Sequence, residues 1–251
     1  MNIMQFLIVC PLVFMAGFID SIAGGGGLIS LPAYMFAGLP VHLAIGTNKM
    51  SSSMGTSIAT YKFAKNGFIK LKFVVFPLLF AIAGSSIGAQ IALITNDRMF
   101  KFIMLVMLPV IAFYVLKTKD LSGGGDIYSV KKTIILTIPV SFFVGIYDGF
   151  YGPGTGTFLI LLLTGFAKIN LNYAAGVTKA INLTTNIAAI AVYLSNDKVI
   201  IPLGLAAGMF SIAGNYLGSS MFIKKGSKTV RPIILVVLML FFIKLIFELL
   251  N

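Results

Sequence analysis

The sequence predicts an all-α, polytopic membrane protein, and three observations predict it. Of 251 residues, 58% are hydrophobic and only 10% are charged, whereas an ordinary soluble domain carries about 25% charged residues. Mean hydropathy is +1.00. Apolar stretches recur between short charged loops, and each is close to the ~20 residues a helix needs to cross a bilayer. The net charge of +12 does not point to nucleic acid, because Lys and Arg fall in those loops rather than on one basic face.

The first and fifth apolar stretches are the unusual ones. They run about 4–39 and 133–166, longer than one span and thin for two. Each is interrupted by glycine, at Gly24, Gly25, Gly26 and Gly27 and again at Gly152, Gly154 and Gly156, with Pro153 and Thr155 between. Glycine is a poor helix former and frees the backbone to turn, so each stretch is expected to be two half-helices joined by a break. Such backbone survives at membrane depth only where protein or a watery cavity covers it. The remaining stretches read as single spans, about 42–61, 73–95, 99–116, 173–195, 199–222 and 232–250.

An internal repeat relates the two long stretches. Ala44-Ile45-Gly46-Thr47-Asn48-Lys49 returns 130 residues later as Ala174-Ala175-Gly176-Val177-Thr178-Lys179, and the pair Gly84/Gly88 returns as Gly214/Gly218. Upstream the offset is 128, with Gly17-Phe18-Ile19-Asp20 matching Gly145-Ile146-Tyr147-Asp148. The chain therefore divides into a first repeat (1–116), a turn-rich charged linker (117–132) and a second repeat (133–251).

Charge placement orients the repeats. Positive clusters lie at Lys62, Lys65, Lys70 and Lys72, at Lys117, Lys119, Lys131 and Lys132, and at Lys224, Lys225, Lys228 and Arg231. Loops 38–42, 96–101 and 195–200 have little positive excess. All three clusters reach the cytoplasmic face, where positive charge concentrates, only if each long stretch enters and returns to its own side. Each half then crosses an odd number of times, and the halves are inverted, the recurring plan of secondary transporters. Both chain ends are expected to be external. The segment Met1 to Gly17 lacks the basic opening of a signal peptide and is read as mature structure.

The candidate site follows from polar residues in apolar surroundings. Glycine breaks that open half-helices leave N–H donors and a positive dipole end, which favour an anion; the alternative is tight helix contact. Close contact is the expected use of Gly84/Gly88 and Gly214/Gly218. Lys49 and Lys179 lie about 10 Å into matched spans, where a charge costs ~3 kcal/mol or more and needs a partner or a task. They are expected to bind an anion, with Thr47, Asn48, Thr178 and Asn182 donating hydrogen bonds, or to pair with Asp20 or Asp148. Those two aspartates, four residues before their breaks, either relay protons or cap the breaks. Lys244 and Glu248 read as an interfacial pair.

Little indicates other chemistry. A single cysteine, Cys10, gives neither a disulfide nor a metal cluster, and no cofactor is expected. His42, the lone histidine, sits at a loop edge. Tyr147-Asp148 echoes an intramembrane aspartyl protease motif without its second half, and no Ser–His arrangement exists. A passive anion channel and a cation carrier led by Asp20 and Asp148 are the rival readings.

The Gly-rich first segment, the Ala44-x-Gly46-Thr47 motif and the repeated half together resemble the TauE/SafE sulfite-exporter family over about residues 10–250. The resemblance implies a multi-pass plasma-membrane carrier for a small sulfur-containing anion such as sulfite or an organosulfonate. Its partners are then that anion and the lipid bilayer, with monomer and homodimer both open.

Overall fold

A computed structural model describes residues 2–96, 99 and 128–225. The span 99–116 beyond its first residue, the span 232–250, most of the linker, Arg98, Lys101, Lys228, Arg231, the Lys244–Glu248 pair and the C-terminus lie outside the described residues. The described chain is helical throughout: α1 (Ile3–Ala23), α2 (Gly27–Phe36), α3 (Val41–Lys65), α4 (Leu71–Ile94), α5 (Val130–Phe150), α6 (Thr155–Gly165), α7 (Leu171–Leu194) and α8 (Ile201–Lys225). Five of these, α1, α4, α5, α7 and α8, contain segments long and apolar enough to cross a membrane. Helix α3 has the same length of 25 residues as α8; its interior run of Thr47, Asn48, Lys49 and Ser51, all buried, lowers its hydropathy because that face is turned inward.

Both long stretches do break at glycine, but into unequal pieces, which corrects the expectation of two half-helices. The first gives 21 and 10 residues and the second 21 and 11. The long arm is a full span of about 31 Å and the short arm about half of one. The short arm folds back. Gln5 Nε2, in the first turn of α1, donates to the carbonyl of Ala37 just past α2 (3.3 Å), so the end of this stretch comes back beside its start.

Small residues decide which helices touch. A Cβ at Gly84 would stand 2.2 Å from the carbonyl oxygen of Phe142, and one at Gly88 2.0 Å from that of Ile146. Gly214 and Gly218 make the matching approaches to Phe14 (2.1 Å) and Phe18 (2.2 Å). Residue numbers rise together in each pair, so α4 and α5 run parallel, as do α1 and α8. The close-contact reading of these four glycines therefore holds, and each half lends one helix to the other.

The central helices α3 and α7 run antiparallel. Gly46, near the start of α3, lies against the carbonyl of Lys198 beyond α7, and Gly176, near the start of α7, lies against the carbonyl of Phe68 beyond α3. Thr47 Oγ1 accepts from the Ile200 N–H (3.0 Å), and Thr60 Oγ1 donates to the Lys179 carbonyl (3.1 Å).

These contacts sort the loops onto two faces. At one, Lys62 Nζ donates to the Tyr216 carbonyl (3.0 Å) and to Ser220 Oγ near the end of α8, and Phe63, Phe68 and Phe222 form an aromatic cluster. Lys70 lies over the Tyr173 ring there. Because α5 parallels α4, Lys131 and Lys132 share that face. At the other, His42 Nε2 lies 2.9 and 3.1 Å from the carbonyls of Ala92 and Thr95; loops 37–42 and 195–200 and the start of α1 gather there.

Candidate functional site

The two glycine breaks meet. Gly24 terminates α1 in the left-handed region, φ +77°, its N–H bonded to the Asp20 carbonyl (2.8 Å). Gly152 and Gly154, at φ +96° and +83°, lead into α6, and Tyr147 Oη braces the turn by donating to the Pro153 carbonyl (2.5 Å). Across the junction, the Thr157 N–H bonds to the Gly24 carbonyl (3.3 Å) and Thr157 Oγ1 donates to that of Ala23 (2.8 Å). A Cβ at Gly24 would sit 2.1 Å from the Gly156 carbonyl carbon. Only glycine lets two turns approach so closely.

Beside this junction lie two ion pairs, and each crosses between the halves. Lys49 Nζ stands 2.8 Å from Asp148 Oδ2, and Lys179 Nζ 2.8 Å from Asp20 Oδ2. Lys49 and Asp148 are 2% and 3% exposed at the side chain, a depth at which an unpaired charge costs several kcal/mol, roughly. Lys179 Nζ also donates to the main-chain carbonyl of Asp20, so it holds the end of α1 as well as the carboxylate.

A small cavity of about 30 Å³ adjoins these groups, room for roughly one or two water molecules. Of the sequence-predicted residues, Asp20, Gly24, Gly26, Gly27, Asn48, Lys49, Asp148, Gly152, Thr155, Gly156 and Asn182 line it. Gly25, Thr47, Gly154, Thr178 and Lys179 do not. The Gly25 and Gly154 carbonyls close the first turns of α2 and α6 on Leu28 and Phe158, and Thr47 is spent on the Ile200 N–H. Thr178 Oγ1 is buried with no hydrogen-bond partner among the described residues.

Sequence reasoning missed one wall. Ser52, Thr56, Asn186, Ser211 and Asn215 also line the cavity. Their signal was available: Ser52/Thr56, Asn182/Asn186 and Ser211/Asn215 are each four apart, one above the other on a helix face, within otherwise apolar spans. Asn215 Nδ2 donates to the Ser211 carbonyl (3.0 Å). That fixes the amide so that Oδ1 has no partner among the described residues, and Asn48 Oδ1 has none either.

The family model for "Sulfite exporter TauE/SafE" matches residues 9–245. The chain belongs to the TauE/SafE family. Similar TauE/SafE-type relatives include a "probable membrane transporter protein ORF9" of Sinorhizobium sp, 35% identical over 94% of this chain and 89% of the relative. A probable membrane transporter protein of Haemophilus influenzae is 33% identical over 94% and 92%. Probable membrane transporter protein YfcA of Escherichia coli is 31% identical over 93% and 87%. No solved structure matches this TauE/SafE chain. Family membership and the apolar spans together make it a multi-pass membrane transporter.

Proposed function

We propose that this transporter is a secondary carrier of a small anion, a sulfur oxyanion or an organosulfonate, and that its site is the cavity between the two glycine breaks. The observation that carries the reading is Lys49 buried on the wall of a small polar cavity, beside the turns that open α2 and α6. A buried ammonium, amide donors from Asn48, Asn182 and Asn186, and two helix starts form a set suited to an oxyanion. The family's description as a sulfite exporter supports the choice of sulfur chemistry. The small size of the cavity favours a carrier over a channel, since an anion larger than water enters only if the helices around it move.

The two repeats are proposed to be inverted, with the lysine-rich face cytoplasmic and the N-terminus external. The antiparallel α3 and α7 and the shared face of Lys62, Lys131 and the end of α8 support this arrangement. Substrate exchange would then proceed by one set of helices rocking against the other.

Purified protein in liposomes tests the carrier reading. Labelled sulfite or methanesulfonate should exchange against unlabelled anion with saturable kinetics, and Lys49→Ala should weaken binding about tenfold or more, the worth of a charge-assisted hydrogen bond. Flux that rises linearly with concentration would replace the carrier with a channel. Unchanged affinity in folded Lys49→Ala protein would remove that lysine from the site.

A further inference from the structure

The two crossed ion pairs are matched in sequence but not in surroundings. Lys49 and Asp148 both line the cavity, and among the described residues Asp148 is the one carboxylate in ion-pair contact with the Lys49 ammonium. Lys179 lies off the cavity, with its ammonium on two atoms of Asp20, the carboxylate and the main-chain carbonyl. That carbonyl also accepts the Gly24 N–H. The second pair is thus built into the end of α1. The first can open without undoing a turn.

Charges also balance across the site as a whole: Lys49, Asp148 and Asp20 line the cavity, and Lys179 answers Asp20 from outside it. An anion entering alone would leave one negative charge too many among side chains as buried as Lys49 and Asp148, where such an imbalance is costly. In addition, Asn48 and Asn215 line the cavity, and the Oδ1 of each is an acceptor without a partner among the described residues. An oxyanion brings no donor to them. A proton does.

Resting on the anion-carrier reading above, we propose that Asp148 is the coupling carboxylate: a monovalent anion enters with one proton, which neutralises Asp148 and frees Lys49 for the anion. Asn48 and Asn215, whose amide oxygens lack partners among the described residues, line the same cavity as the carboxyl O–H so formed, and the site stays neutral. Lys179 and Asp20 are positioning residues that hold the glycine junction. The titratable groups facing Asp148 are Lys49 from α3, Asp20 from α1 and Tyr193 from α7, whose Oη donates to the Gly149 carbonyl (3.2 Å). Tyr147 and Tyr151 flank it on its own chain, and α4 and α6 bring no titratable residue to this depth.

Binding of methanesulfonate to the purified full-length protein tests this, because that anion keeps one charge across the pH range used. Between pH 5 and 8 the wild-type dissociation constant should rise with pH, by up to about tenfold per unit where Asp148 is ionised before binding. Asp148→Asn should bind with no pH slope, and Asp20→Asn should keep the slope in whatever binding it retains. In liposomes, each anion taken up by the wild type should carry one proton, at a rate indifferent to a clamped membrane potential. A pH-independent wild-type constant overturns the coupling alone and leaves the anion carrier standing. A slope that persists in Asp148→Asn also overturns it, and if that variant does not fold, the wild-type slope and proton count still decide. No binding of methanesulfonate or sulfite at any pH overturns both readings.

Discussion

Lys179 shows how much a single residue's meaning depends on its second contact. In the sequence it is the twin of Lys49, and the symmetry invites one role for both. The structure separates them by where the ammonium goes. Lys179 ties the Asp20 carbonyl and carboxylate together at the end of α1, so its loss leaves a carboxylate unpaired and a helix end loosened. Lys179→Ala is expected to cost about 3–5 kcal/mol of stability, the usual price of breaking a buried pair from one side, read as a fall in thermal unfolding temperature in detergent. Lys179→Ala combined with Asp20→Asn should recover part of that loss, because no lone charge remains. A single variant as stable as the wild type would mean that the pair holds nothing.

At the scale of elements, the breaks carry the most specific sequence requirement. Gly24 needs a positive φ and touches Gly156 backbone on its open side. Alanine there meets both a left-handed penalty of about 1–2 kcal/mol and a clash that no side-chain movement relieves. Gly156→Ala meets the clash alone. Gly165, with nothing within 4 Å of its missing Cβ and no positive φ, is the natural control. Gly24→Ala and Gly156→Ala should abolish exchange in liposomes and lower yield of folded protein, while Gly165→Ala should match the wild type. Full exchange by Gly24→Ala would show that the junction is not part of the moving site.

Much of this level was legible in the residues themselves. The spans starting near 42, 73, 173 and 199 are α3, α4, α7 and α8, because long apolar runs bounded by charge leave few alternatives. The glycines that break each long stretch and those that permit contact were also separable, the former clustered and the latter four apart. What could not be read was the unequal split of the hairpins, since the place where α1 stops is set by contact with Gly156, over a hundred residues away. The crossing of the ion pairs was hidden for the same reason. Either aspartate could satisfy either lysine until α5 and α1 were placed beside their partners. The amide wall from α8 was missed through attention to charge, although Ser211 and Asn215 already shared a helix face.

Over the whole molecule, the arrangement of faces makes a prediction that requires no substrate. With Cys10 replaced, single cysteines at Asn66 and Lys224 should react with an impermeant thiol reagent from the same side of the membrane, and one at Asn196 from the opposite side. The basis is the Lys62 contacts with Tyr216 and Ser220 at one face and the Thr47–Ile200 bond towards the other. Labelling of 66 and 224 from opposite compartments would dismantle the pairing of the helices. The lysine asymmetry between loops 62–72 and 195–200 then orients the whole assembly.

The exchange of partners has a consequence for how such a chain can be divided. Lys49 finds its counter-ion on α5 and Lys179 finds its own on α1, while α4 and α8 lie on helices of the opposite half. A half-length polypeptide would hold a lysine and an aspartate in lipid without the ion-pair partner that each has in the whole chain. Only a second copy, threaded upside down against the first, could supply what each lacks. Severing the gene at the linker should therefore give two products that are each degraded when made alone and stable when made together.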